Sequence, residues 1–145
     1  MKKNLIKGAI LFLFMIISVI GYSQTTYSTD LMGNTVAKDS WGNVIAIGSK
    51  DYMGNFVWKD TWGNVIKTES KNYMGQTETK DQWGNVKSIQ STDYSGDEVV
   101  KDIYGNIRYI LHEDYMGNIV KKDVYGNVLG TYKRDYMGNW VYYER

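Results

Sequence analysis

The chain has 145 residues, 17 Lys and Arg against 16 Asp and Glu, 13 Tyr, 5 Trp, 15 Gly, and neither Cys nor Pro. That length suits one ordinary domain, and without cysteine no disulfide can staple it. A near-neutral balance does not look like that of a nucleic-acid or anionic-membrane binder, which needs a basic stripe.

The first segment reads as separate from that domain. Lys2, Lys3 and Lys7 form a basic start, and an apolar run follows from Ala9 to Ile20 with Ser18 its only polar break. Gly21 and Ser23, small and two apart, precede Gln24. A basic start, an apolar stretch of roughly 7–15 residues and a small-residue cleavage site mark a secretory signal peptide. Residues 1–23 are therefore expected to be a signal peptide, cut after Ser23. A membrane-spanning helix needs about 20 apolar residues, and this run is shorter. With no Cys after it, lipid anchoring through cysteine is excluded. Taking three lysines from the 17 basic residues leaves 14 against 16 acidic ones, a net of −2 for the mature chain. The expected location is secreted, periplasmic or cell-surface, with no membrane insertion after cleavage and no nucleic-acid partner.

From residue 24 onward the chain reads as one array. Asp-x-x-Gly-Asn recurs, and its glycines run from Gly33 to Gly138 at alternating spacings of 9 and 12, a period of 21. The units are 30–50, 51–71, 72–92, 93–113 and 114–134, with a half unit at 135–145, forming a single domain over 24–145. Each unit carries two turns, as in Asp51-Tyr52-Met53-Gly54-Asn55 and Asp60-Thr61-Trp62-Gly63-Asn64. Asp suits the first turn position because its carboxylate bonds the N–H two residues on. Gly suits the fourth because it accepts positive φ without steric cost. A type I turn followed by a left-handed Gly is a common hairpin connection.

The segments between turns are rich in β-branched and aromatic residues and read as strands, one short and one long per unit. The recurring Val36, Val57, Val99, Val120 and Val141 are the expected core. So is the series Val44, Val65, Val86, Ile107 and Val128, with the turn aromatics packed beside them. The fold class is therefore all-β: tandem 21-residue β-hairpins in a coiled or rolled antiparallel meander. The alternative is a β-solenoid with two strands per rung. Stacked rungs would place Lys38, Lys59, Lys80, Lys101 and Lys122 about 4.8 Å apart. Each neighbouring pair would then repel by roughly 0.9 kcal/mol even in water. A meander doubles that spacing and is preferred. Its strands are of unequal length, which favours curvature. The last strand, 139–145, would be left as an unpaired edge able to join a second copy.

The turns at Asp114-Tyr115-Met116-Gly117-Asn118 and Asp123-Val124-Tyr125-Gly126-Asn127 resemble those of the YD (Rhs-type) repeats of bacterial surface and toxin-shell proteins. That resemblance implies β-hairpins coiling into a sheet, although Asp-Tyr stands here where that family has Tyr-Asp. The run Gly138-Asn139-Trp140-Val141-Tyr142-Tyr143 is similar to the aromatic hairpin repeats of cell-wall-binding (choline-binding) modules. In those modules aromatics line ligand sites between hairpins.

No constellation suggests catalysis. The one His, His112, lies in a variable strand position without a nucleophile or a positioned partner. Asp97-Glu98 and Glu113-Asp114 are strand neighbours that point to opposite faces. Each Asp-x-x-Gly-Asn could offer oxygens to Ca²⁺, but a calcium loop gathers several carboxylates in one short span. The turn role explains both residues. No metal and no cofactor are expected, and the chain reads as non-enzymatic. The candidate ligand-binding residues are the turn aromatics Trp41, Trp62, Trp83, Tyr104 and Tyr125, able to stack on sugars or contact a protein. The expectation is a structural or protein-interaction module at the cell envelope or outside the cell. A carbohydrate-binding module and a self-assembling surface component are the alternatives. Residues that differ between units, such as Glu78, Tyr109 and His112, are the other places where function could lie.

Overall fold

The computed structural model describes residues 24–145, so the expected signal peptide lies outside the described residues. Twelve strands run in chain order: β1 (Gln24–Thr29), β2 (Thr35–Lys38), β3 (Val44–Lys50), β4 (Phe56–Lys59), β5 (Val65–Lys71), β6 (Thr77–Asp81), β7 (Val86–Thr92), β8 (Glu98–Asp102), β9 (Ile107–Glu113), β10 (Ile119–Lys122), β11 (Val128–Arg134) and β12 (Trp140–Glu144). Each pairs antiparallel with the next, and β1 closes the ring on β12. The expected all-β class holds. The stacked-rung solenoid does not, because consecutive strands reverse and pair directly.

Every reversal has one chemistry. In the turn at 60–64 the Gly63 N–H donates to the Asp60 carbonyl at 3.1 Å, and the Asp60 N–H donates to the Asn64 carbonyl at 2.9 Å. Gly63 has φ 88°, a left-handed conformation costly for any residue with a Cβ. The Asp60 Oδ1 accepts from the N–H groups of Trp62 and Asn64, and its Oδ2 from the Asn64 side-chain amide. The recurring Asp, Gly and Asn are consumed in making the chain turn.

Closure has a local cause. Each of the five hairpins built on the second turn carries a register shift, for example between Trp58 and Lys59 or between Val100 and Lys101. The long strand holds one extra residue there. Such bulges bend the strand and increase its twist. Repeated around the sheet, they roll it until β1 meets β12, with Gln24 opposite Tyr143 and Tyr27 opposite Trp140. The last strand is therefore not an unpaired edge. It is bonded on both sides, and the premise for strand-to-strand self-association falls away.

The core lies inside the barrel and differs from the expected one. The lumenal face carries Tyr27, Ala37, Ala46, Phe56, Trp58, Leu111, Ile119, Tyr132, Trp140 and Tyr142 in one buried cluster. The repeating valines alternate with these residues. Val36, Val57 and Val120 are half-buried, and only Val99 and Val141 are buried. The series Val44, Val65, Val86, Ile107 and Val128 is half-buried to exposed. The physical reason is rotational. Identical residues facing the axis would meet their own copies at one level and could not fill the space. Eight strands leave an interior just filled by side chains, and twelve leave more. The lumenal positions therefore vary in size: Ala37, Trp58, Thr79, Val100 and Lys121 are equivalent, as are Gly48, Glu69, Gln90, Leu111 and Tyr132. Glycine makes room for rings. A Cβ on Gly48 would lie 2.5 Å from Phe56 Cε1, and one on Gly130 would collide with the Tyr142 ring.

Candidate binding surfaces at the barrel rims

In an up-and-down barrel, turns of like parity share one end. The five turns 39–43, 60–64, 81–85, 102–106 and 123–127 crown one rim, where the described chain also begins and ends. The six turns 30–34, 51–55, 72–76, 93–97, 114–118 and 135–139 crown the other. The fold thus brings Trp41, Trp62, Trp83, Tyr104 and Tyr125 to one rim. Their exposure is 79%, 86%, 77%, 83% and 88%. They do not pack beside the valines as expected. The same holds for Tyr52, Tyr73, Tyr94, Tyr115 and Tyr136, which project from the opposite rim beside Met53, Met74, Met116 and Met137. In each of the turns 39–43, 60–64, 81–85, 102–106 and 123–127 the aromatic residue donates its backbone N–H to the turn carboxylate, a bond that any residue type but proline could make.

Nine of the turn carboxylates are held below their ordinary value. Side-chain donation from Asn106 holds the Asp102 carboxyl below its ordinary value, helped by the Asn106 and Tyr104 N–H groups. At Asp60 desolvation pulls upward, but the Asn64 side chain and the Asn64 and Trp62 N–H groups outweigh it. With both oxygens engaged, these carboxylates are poorly placed to gather around a cation. Among the described residues no group of three or more His, Cys, Asp or Glu could hold a metal ion.

Two departures from the repeat are informative. In the turn 93–97, Asp97 replaces the usual Asn, and its carboxylate reaches His112 Nδ1 at 2.8 Å. The only histidine of the chain is therefore held by a turn residue, on the strand position next to the lumenal Leu111. Inside the barrel, Lys67 Nζ lies 3.0 Å from Glu69 Oε1, and both residues are buried. Burial pushes the Glu69 carboxyl up to about 7 against the pull of the Lys67 charge. The same burial pushes the Lys67 ammonium down. Sequence reading missed this pair, because its lysine and glutamate lie at positions that are Ala46 and Gly48 one unit earlier. Of the other unit-specific residues, Tyr109 faces the lumen under the Lys121 ammonium, 4.4 Å from its ring centre. Glu78 is half-buried with Lys80 Nζ at 3.8 Å.

No family model and no curated protein matches the chain. The X-ray structure of a protein from Arabidopsis thaliana is similar in fold, with a TM-score of 0.58 over 83% of this chain and 78% of that one, at 14% identity. At that identity the likeness is one of fold alone.

Proposed function

We propose that the protein is an exported, non-enzymatic interaction module acting at the cell envelope or outside the cell, and that the rim of turn aromatics is its contact surface. One observation carries the reading: five Trp and Tyr side chains from five separate units stand exposed on one rim, where the bond each residue gives the turn carboxylate comes from its backbone N–H. Exposed aromatics in such number are uncommon on a surface without a partner. Export is supported by the order of basic, apolar and small residues before Gln24. The resemblance of the turns to YD-type repeats of surface proteins agrees with it. A spanning β-strand needs about 9–11 residues, whereas these strands have 4 to 7, which supports a barrel that stays out of the bilayer.

A carbohydrate ligand is the second reading, favoured by the spacing. Neighbouring turns on one rim are two strands apart, roughly 10 Å, so their rings form separate platforms along an arc. The test is binding of the purified protein to cell-envelope proteins and to immobilised cell-wall and soluble glycans, with Trp62→Ala and Trp83→Ala variants alongside. Retention on glycan that the variants lose selects the carbohydrate reading. Capture of an envelope protein that the variants lose selects the protein reading. Binding untouched by either substitution removes the rim from both.

A further inference from the structure

The mouth of the barrel at the Tyr-Met rim holds a cavity of about 310 Å³ set among β5 to β8. Its wall is polar. Lys71 on β5 stands opposite Thr77 on β6, Thr77 opposite Gln90 on β7, and Thr92 opposite Glu98 on β8. Two hydroxyls orient the charges: Lys71 Nζ donates to Thr77 Oγ1 at 2.9 Å, and Thr92 Oγ1 donates to Glu98 Oε1 at 2.8 Å. Among the described residues, neither charge has an ion-pair partner. Between them sits Gln90, 2% exposed, whose amide nitrogen and oxygen make no hydrogen bond within the protein.

A buried amide that the fold leaves unpaired is costly and calls for a partner. Here that amide lies between a free cationic head and a free carboxylate. Lys71, folded onto Thr77, holds its ammonium over β6, while Glu98 is two strand spacings away, roughly 10 Å. An extended dipeptide spans about 7 Å. It carries an ammonium, a peptide group with one donor and one acceptor, and a carboxylate. We infer that this mouth binds a small zwitterion of dipeptide size, its ammonium on Glu98, its peptide group on the Gln90 amide and its carboxylate on Lys71. The volume is at the lower end for small-molecule sites, which suits a ligand of that size. The site is independent of the aromatic rim at the opposite end, so either can fail without the other.

The experiment is titration of the ¹⁵N-labelled protein with glycylglycine, following the Gln90 side-chain amide resonances. Acetylated glycylglycine and glycylglycine amide are titrated in parallel. The expected result is a saturable shift of the Gln90 amide, weakened about tenfold or more when either end of the ligand is neutralised, a change of about 1.4 kcal/mol per decade. Lys71→Met is expected to abolish the preference for a free carboxylate, and Glu98→Gln the preference for a free ammonium. Gln90→Leu is expected to abolish binding while raising the melting temperature, because it removes an unpaired buried amide. If that variant loses stability, the amide is already satisfied and the inference fails. Three further outcomes overturn it: no shift at Gln90 with any probe, equal shifts with the neutralised probes, or a preference for the free termini that survives the Lys71 and Glu98 variants.

Discussion

At the scale of single residues, the lumen shows how a repeat protein avoids being a symmetric one. Trp58, Tyr132 and Tyr142 are buried because the equivalent or facing positions are small. Gly48 lies under Phe56 and Trp58, and Gly130 under Tyr142. Gly130→Ala is therefore expected to cost about 1–3 kcal/mol through overpacking, read as a lower denaturation midpoint. The Lys67–Glu69 pair belongs to the same scale. Removing one partner, as in Lys67→Met, is expected to cost about 3–5 kcal/mol, whereas replacing both with Met and Leu costs little or stabilises. Its pH signature follows from burial. The folded-state value of Glu69, about 7, lies above the ordinary 4.5, so the folded state binds the proton more tightly than the unfolded chain does. The resulting contribution to stability is fully present below 4.5 and is lost as pH rises through about 7. Chemical denaturation between those values should show this slope in the parent protein and lose it in Glu69→Gln. An unchanged slope would mean that Glu69 stays ionised throughout.

At the scale of the element, one hairpin chemistry is used eleven times, with Asn72 and Gln76 standing in for Asp and Asn in one turn and Asp97 for Asn in another. Its glycines do different work from Gly48 and Gly130. All eleven have φ between 78° and 88°, and Gly63, like nine others, sits in open space. Gly63→Ala is expected to cost about 1–2 kcal/mol through its left-handed backbone. Gly63→Asn should recover much of that loss, since Asn is enriched in that region, while Gly130→Asn should be worse than Gly130→Ala. Thermal melts of the four variants separate backbone strain from crowding. The turns also predict acid behaviour. Nine turn aspartates, among them Asp30, Asp51 and Asp123, are held below the ordinary 3.8. Their contribution is present above that value and is lost as pH falls beneath it. The denaturation midpoint should therefore drop steeply below about pH 4, where Glu69 no longer titrates.

At the scale of the whole molecule, closure decides which surfaces are available. An open twelve-strand sheet would present two edges able to recruit other chains. Pairing of β1 with β12 removes both and leaves the two rims as the faces where repeated side chains gather. Deleting residues 139–145 should expose β1 and β11 together. Light scattering is expected to show association of the truncated protein and none through strand edges in the parent. A truncated protein that remains monomeric would mean that closure is not what keeps the edges apart.

The sequence by itself determined every reversal of the chain and the all-β class, because Asp, Gly and Asn act within five residues and need no tertiary context, and it favoured antiparallel pairing of neighbours over stacked rungs. It also picked out Trp41, Trp62, Trp83, Tyr104 and Tyr125 as one set. Only the tertiary structure decided which face of the strands points inward. Period-2 alternation marks two faces without saying which is buried, and recurrence pointed to the valines when the lumen required residues that differ from unit to unit. Closure, too, was a tertiary outcome: each bulge contributes a small bend, and only five of them summed around the ring bring β12 to β1. The buried Lys67–Glu69 pair and the Gln90 mouth were illegible for the same reason. Their partners are separated along the chain and meet only on the inner wall of the barrel.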